Sequence, residues 1–143
     1  MSKKRLKLAG ELGADVLINA AEEDVAARIM QETGNRGLDI AAECTGIRKP
    51  FFTAIKTLRV DGLLLQVGVF TQALEFNPVT LTDKCLTING FTGGDFLASA
   101  AAINTHIVDF NKLISHNYPL DKVNDAFTMQ FNTEESVKVV LKP

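Results

Sequence analysis

The sequence predicts an α/β protein in which helices flank a mostly parallel sheet. Strand-like and helix-like segments alternate along its 143 residues, which is typical of layered α/β folds. The run Leu63–Val67 is apolar at nearly every position, as in parallel strands that helices cover on both faces. The length suits a single domain over residues 1–143, and the 46% apolar content is enough to fill its core.

The first elements are predicted to be a helix, a strand and a second helix. The first helix covers residues 3–12, and Gly13 is placed to end it. Asp15–Asn19 is a short apolar run between polar residues and predicts a buried strand. Acidic residues 22–24 fit the first turn of the second helix, which Gly34 stops.

The middle of the chain continues this alternation. A strand is predicted at Leu38–Glu43, followed by a helix with Pro50 in its first turn, where the missing N–H costs nothing. Leu63–Val67 is the next strand. Leu86–Phe91 alternates between apolar and polar residues, so we expect it to be an edge strand.

The carboxyl-terminal part is predicted to contain two helices and a final strand over residues 137–141. The first helix follows Gly93 and Gly94 and carries an apolar stripe, and Asp121 is expected to cap the second, shorter helix. The stripe consists of Phe96, Ala100, Ile103, Ile107 and Phe110.

Composition argues against several kinds of function. With 15 Lys+Arg against 17 Asp+Glu and no long basic run, a nucleic-acid partner is not expected. Neither a membrane span of ~20 apolar residues nor a signal-peptide core is present, so no membrane partner is expected. Cys44 and Cys85 are far apart without a CxxC motif, which predicts no disulfide framework or metal site and favours the cytoplasm.

Ligands of open α/β sheets bind at the carboxyl ends of the strands. Here those ends are Cys44–Gly46, Val67–Val69 and Phe91–Gly94, and each contains glycine. Glycine would let a flat ligand approach the backbone closely, although a glycine can also simply end a strand. Three such ends on successive strands favour a binding crevice.

Several segments resemble the medium-chain alcohol dehydrogenases. Arg5–Asp15 is similar to the helix after the family's second strand, and Glu43–Gly46 and Gln66–Val69 are similar to later motifs of its cofactor domain. Pro119–Phe127 and Ser136–Leu141 resemble its closing segment. The resemblance covers nearly the whole chain in the same order, and the nearest branch is the zinc-dependent polyol, butanediol and threonine dehydrogenases.

This resemblance implies a partial Rossmann-like fold that lacks the family's first two strands and its GxGxxG turn, since no such motif occurs. The family's catalytic domain, with its zinc ligands and proton relay, is also absent. The chain is therefore expected to be a piece of an NAD(P)-dependent, zinc-type alcohol or polyol oxidoreductase, inactive alone, with zinc only in the missing domain. We expect it to bind NAD or NADP in the millimolar range or not at all, because the pyrophosphate-binding amides are missing.

The resemblance also implies cofactor-binding positions. Ser2 and Arg5 match positions near the adenosine, and Lys138 matches a basic position that contacts the pyrophosphate, although Arg5 and Lys138 would be ordinary solvated cations in most sequences. The remaining positions match the loop beside adenine and ribose and two segments that face the nicotinamide carboxamide. They are Cys44, Thr45 and Arg48 in the loop, and Val67, Gly68, Val69, Phe91 and Thr92 in the two segments.

Alternative interpretations stay open. Cys44 would need a nearby base to act as a nucleophile, and only His106 and His116 occur, neither of which is expected beside it. No catalytic residue is therefore predicted in this chain. The alternative function is a non-catalytic module that dimerises or binds a partner. In the family, the strand equivalent to residues 86–91 pairs with its twin across a two-fold axis, which implies a homodimer through this edge.

Overall fold

Helices and parallel strands alternate through most of the chain. The computed structural model describes residues 2–105 and 109–143. Two compact units are present: the sheet unit, Glu23–Gly93, and the terminal unit, which combines residues 1–22 with residues 94–143. The single domain over residues 1–143 stays a prediction.

The secondary structure follows the predicted order with some additions. The helices are α1 (Lys3–Glu11), α2 (Val25–Glu32), α3 (Arg48–Thr57), α4 (Val79–Asp83), α5 (Phe96–Asn104) and α6 (Val123–Phe131). The strands are β1 (Leu38–Glu43), β2 (Leu58–Gln66), β3 (Thr87–Gly90), β4 (Ile114–Pro119) and β5 (Lys138–Lys142), and 3-10 turns lie at Phe110–Leu113 and Leu120–Lys122. In the described part of the chain, no helix is long and apolar enough to cross a bilayer.

The sheet unit is built on three parallel strands in the order β1-β2-β3. Parallel neighbours need a crossover connection, and α3 supplies it between β1 and β2. The register places Ile40 beside Leu63 and Leu64 beside Ile88. β3 lies at the edge of this sheet, as its alternating sequence predicted, and its four residues are exposed. The predicted α/β class with a parallel sheet is confirmed.

The core of the sheet unit lies between α3 and β2. Phe51 and Ile55 share one face of α3 because they are four residues apart, and they are 5% and 4% exposed. Leu58 and Leu64 of β2 are buried against them, and burial of each such side chain contributes about 1.5–3 kcal/mol. The strand is not uniformly buried, because Leu63 and Leu65 on either side of Leu64 are only half-buried. Edge-to-face ring contacts with Phe51 complete this core: Phe52, Phe70 and Phe76, with centroids 5.5–5.8 Å away.

The beginning of α2 differs slightly from the prediction. Asp24 precedes the helix as its N-cap, and its carboxylate accepts hydrogen bonds from the amides of Ala26 and Ala27 at 2.8 and 3.1 Å. The acidic residues 22–24 therefore lie just before the first turn rather than in it. Their position still favours the helix because its free N–H groups point toward them.

The terminal unit contains a second, two-stranded parallel sheet of β4 and β5. The segment before β5 is held by α1, because the Arg5 guanidinium donates to the Ser136 carbonyl at 3.1–3.2 Å. The Lys4 ammonium donates to the carbonyl of Glu135. The serine hydroxyl of Ser115 donates to the Lys138 carbonyl at 3.0 Å and so links β4 to β5.

Three expectations for this unit are wrong, and one falls outside the described residues. Asp15–Asn19 is not a strand, because an apolar run needs a hydrogen-bonding partner strand, and the described ladders join only β1–β2–β3 and β4–β5. Phe110 is not on α5, which ends at Asn104. Asp121 does not cap α6, since it lies in the preceding 3-10 turn. Ile107 of the predicted stripe lies outside the described residues, and Phe96 at its start is 86% exposed.

The carboxyl end of α3 is capped by a lysine from a distant part of the sequence. The Lys84 ammonium donates to the carbonyls of Lys56 and Leu58 at 2.7 and 2.8 Å and lies 3.4 Å from that of Ile55. The Lys84 backbone carbonyl also accepts from the Asp61 amide at 2.8 Å. A cation is favourable here, because the last carbonyls of a helix lack partners within it.

We predict that Lys84→Met destabilises the protein by about 1.5–3 kcal/mol, because methionine fills a similar volume but leaves these carbonyls without a charged donor. Lys49→Met, at an exposed position in the first turn of the same helix, is the control and should change stability by less than about 0.5 kcal/mol. Urea unfolding followed by circular dichroism measures both. Equal stability of the two variants would show that the cap contributes nothing.

Candidate functional site

The candidate site is the carboxyl edge of the sheet in the sheet unit. The structure brings the loop after β1 next to the segment after β2, so Cys44, Thr45, Val67 and Gly68 lie together as expected. The end of β3 joins them through the amide of Phe91, which donates to the Gln66 carbonyl at 2.9 Å. These contacts form one continuous backbone edge.

The buried side chain of Glu43, at the end of β1, organises this edge. Its carboxylate accepts from the Thr45 amide at 2.7 Å and from the Gly46 amide at 3.0 Å. The Thr45 hydroxyl also donates to it, and the Gln66 side-chain amide donates from β2 at 2.9 Å. Glu43 is only 2% exposed, so these donors replace the water that an ionised carboxylate requires.

The main chain of Glu43 makes further contacts with the segment after β2. Its carbonyl oxygen accepts from the amides of Val67 and Gly68 at 2.9 and 2.8 Å. The side-chain amide of Gln66 also donates to the Gly68 carbonyl at 2.7 Å. One residue at the end of β1 therefore fixes both the loop that follows it and the neighbouring segment.

These hydrogen bonds decide the ionisation of Glu43. Burial by itself raises the pKa of the Glu43 carboxyl, because the charged form loses its hydration. The hydrogen bonds from Thr45, Gln66 and Gly46 outweigh burial, and the pKa lies below its ordinary value. The carboxylate is therefore ionised at neutral pH although it is buried.

Two glycines allow the loops to approach each other. A Cβ on Gly68 would lie 2.2 Å from the Gly46 nitrogen and 2.5 Å from a Glu43 carboxylate oxygen. Gly46 has a φ of +66°, and a Cβ there would lie 2.2 Å from the Val69 carbonyl oxygen. Contact between the two loops thus accounts for both glycines, whereas Gly93 and Gly94 face open space.

The outer surface of the edge is apolar and exposed. Val67, Val69 and Phe91 are 42%, 84% and 57% exposed. Cys44, Thr45 and Thr92 are also exposed, and Cys44 is a free thiol. The guanidinium of Arg48 lies over the ring of Phe52, 5.0 Å from its centroid.

Three predicted site residues belong to the terminal unit. Ser2 is buried just before α1, and its hydroxyl has no hydrogen-bond partner among residues 2–105 and 109–143. Arg5 donates to the Ser136 carbonyl, so its guanidinium is already engaged. Lys138 starts β5 at an exposed position, paired with Ile114.

The histidines do not extend the site. The ring nitrogen Nδ1 of His116 lies 3.0 Å from the Ser115 hydroxyl in the terminal unit, and His106 lies outside the described residues. Across the described ranges, no group of three or more His, Cys, Asp and Glu side chains is placed to hold a metal ion. The described residues therefore do not fit a zinc centre.

Sequence reasoning did not select Glu43 and Gln66 as site residues. Glu43 ends a strand in which three apolar residues precede it, so a buried acid that needs hydrogen-bond donors was foreseeable there. Thr45 and Gly46 directly after it are suitable donors. Gln66 could not be paired with Glu43 in advance, because the register between β1 and β2 contains an irregularity between Leu38 and Ile40.

The chain is similar to known proteins over almost its whole length. The sequence profile of the family described as zinc-binding dehydrogenase matches residues 1–109. An erythritol/L-threitol dehydrogenase of Mycolicibacterium smegmatis is 31% identical over 100% of this chain and 40% of its own length. A sorbitol dehydrogenase of Bacillus subtilis is 31% identical over 97% of this chain and 40% of its own length.

Solved structures agree with this comparison. The crystal structure of 2R,3R-butanediol dehydrogenase from Bacillus subtilis superposes with a TM-score of 0.88 and 26% identity. It covers 100% of this chain and 42% of the enzyme. The chain thus spans about two fifths of the length of the relatives it matches, and they include the polyol and butanediol enzymes expected from the resemblance.

We predict that Gly68→Ala destabilises the protein by at least about 1–3 kcal/mol, because the added methyl group would overlap backbone and a buried carboxylate. Gly90→Ala is the matched control, since a Cβ at Gly90 meets no atom within 4 Å. Thermal unfolding compares the two variants. A Gly68→Ala protein as stable as Gly90→Ala would show that the loops separate without cost.

Proposed function

The chain belongs to the zinc-binding dehydrogenase family, and we propose that it forms part of the cofactor site of an NAD(P)-dependent alcohol or polyol oxidoreductase. The observation that carries this proposal is the carboxyl edge of the sheet. Ligands of parallel α/β sheets bind there, and Val67, Val69 and Phe91 offer an exposed apolar surface on which a planar ring can lie.

The residues at the carboxyl edge suit a planar ring of a dinucleotide better than its pyrophosphate. The amides of Thr45, Gly46, Val67 and Gly68 are hydrogen-bonded within the protein, so they are not free to bind a pyrophosphate. The exposed side chains suit a flat, largely uncharged ring. We therefore expect weak, millimolar-range affinity for NAD or NADP in this chain alone.

The remaining proposed positions lie in the terminal unit. Lys138 is exposed and positively charged, which suits a phosphate oxygen. Arg5 already donates to the Ser136 carbonyl and would have to share or exchange that contact. Ser2 has a free hydroxyl among the described residues, which suits a ribose.

The proposal also includes a cellular compartment and a partner. The free thiols of Cys44 and Cys85 favour a reducing cytoplasm. β3 is an exposed edge strand with a free hydrogen-bonding side within its sheet, which favours a homodimer through this edge. The same edge supports the alternative function, a non-catalytic module that dimerises or binds a partner.

The cofactor proposal predicts that NAD shifts the amide NMR signals of Thr45, Val67–Val69 and Thr92. Val69→Asp places a charge on this 84% exposed position and should abolish the shifts, whereas Val79→Asp, 48% exposed on α4, should not. We titrate NAD and NADP to roughly 10 mM. No shift in the wild type, or equal shifts in both variants, would contradict the site.

The dimer proposal predicts twice the mass of one chain by light scattering at tens of micromolar protein. Ile88→Lys on β3 should shift the mass toward that of one chain, because like charges would meet across the two-fold axis. Val60→Lys, on an exposed position of β2, is the control and should remain dimeric. A monomeric wild type would contradict this edge as an interface.

A further inference from the structure

Four amide donors at the ends of β1 and β2 point to one residue. Glu43 accepts from Thr45 and Gly46 with its carboxylate and from Val67 and Gly68 with its carbonyl oxygen. The four N–H groups therefore face into the protein. None of these four is left for a ligand.

The polar atom that lacks a partner at this edge is an acceptor. Gln66 uses both hydrogens of its amide, one on Glu43 and one on the Gly68 carbonyl. Its Oε1 is buried and has no hydrogen-bond partner within the described ranges. The side-chain donors of Gln66, like the four backbone amides, are therefore used inside the protein and are not available to a ligand.

We propose that Glu43 is a positioning residue of the cofactor site, which saturates these four amides and fixes the two loops against each other. This inference rests on the proposed function, because it assigns a role in the same site. Glu43 acts through Thr45, Gly46 and the Val67–Gly68 backbone. With 2% of its surface exposed, it does not itself contact the ligand.

Glu43→Gln tests the role without changing side-chain size. One accepting oxygen becomes an NH2 group, which would face the Gly46 amide or the Gln66 side chain, so at least one donor loses its acceptor. We expect the amide proton signals of Thr45 and Gly46 to move upfield and to exchange with solvent at least about tenfold faster. Asp39→Asn, near the amino end of the same strand, is the matched control and should leave both signals unchanged.

Titration with NAD separates this inference from the proposed function. We expect Glu43→Gln to bind NAD at least roughly tenfold more weakly than the wild type, and Asp39→Asn to bind it equally. Equal affinity in the wild type and Glu43→Gln would overturn the positioning role and leave the proposed function intact. If the wild type does not bind NAD, the proposed function fails. The positioning role is then tested separately, and unchanged amide signals of Thr45 and Gly46 in Glu43→Gln would overturn it.

Chemical rescue gives a readout that a merely structural role would not. Glu43→Ala removes the acceptor of the Thr45, Gly46 and Gln66 donors, and added acetate supplies a carboxylate that these donors can bind. We expect acetate, but not chloride, to return the Thr45 and Gly46 signals and the NAD affinity toward their wild-type values. Identical effects of the two ions would overturn the proposal.

The wild-type protein provides a test that does not depend on the folding of any variant. The amide signals of Thr45 and Gly46 should titrate with the Glu43 carboxyl, whose pKa lies below its ordinary value. Independence of these signals from that titration would overturn the positioning role.

Discussion

The carboxyl edge of the sheet depends on the hydrogen bonds that the buried carboxylate of Glu43 accepts. Taking an ionised carboxylate out of water costs several kcal/mol, and a hydrogen bond to a charged group returns about 1.5–3 kcal/mol. Four donors from Thr45, Gly46 and Gln66 together exceed that cost, which agrees with the lowered pKa of Glu43. Without these donors the two strand ends would hold an unpaired charge between them.

Two charged side chains of the sheet unit thus bind backbone groups that lack partners within a helix or strand, a cation for carbonyl groups and an anion for amide groups. At the carboxyl end of α3, carbonyl groups without helical partners meet the ammonium of Lys84. At the carboxyl end of β1, amide groups of the following loop meet the carboxylate of Glu43. Gln66 reaches Glu43 from the neighbouring strand and Lys84 reaches α3 from a distant part of the sequence, so these two long-range contacts require the folded sheet unit.

The fold class, several of its elements and the grouping of some candidate-site residues could be predicted from the sequence. β1 was predicted with its observed bounds because turn residues flank it on both sides, and α3 was found from the spacing of Phe51 and Ile55. Asp15–Asn19 was wrongly predicted to be a strand, because an apolar run forms a strand only where a partner strand can hydrogen-bond to it. β4 was missed because Ser115, His116 and Asn117 give it no apolar pattern.

The grouping of the strand ends at the candidate site could be predicted, but the hydrogen bonds within it could not. The carboxyl ends of the strands follow from topology, so Thr45, Val67 and Gly68 were placed together correctly. The pairing of Glu43 with Gln66 depends on strand register, which an irregularity in β1–β2 pairing hides from the sequence. Gly46 and Gly68 were interpreted as admitting a ligand or as ending a strand, and their role in bringing two loops together was not foreseen.

The division of the chain has a consequence for its synthesis. The sheet unit, Glu23–Gly93, is one uninterrupted segment, so all its strands are synthesised before residues 94–143. The terminal unit joins both ends of the chain, and α1 contacts the segment that precedes β5. At a synthesis rate of about 5–20 residues per second, several seconds pass between the synthesis of α1 and that of the segment before β5. During this interval α1 lacks the carbonyls of Glu135 and Ser136 to which its side chains donate, while the sheet can already fold.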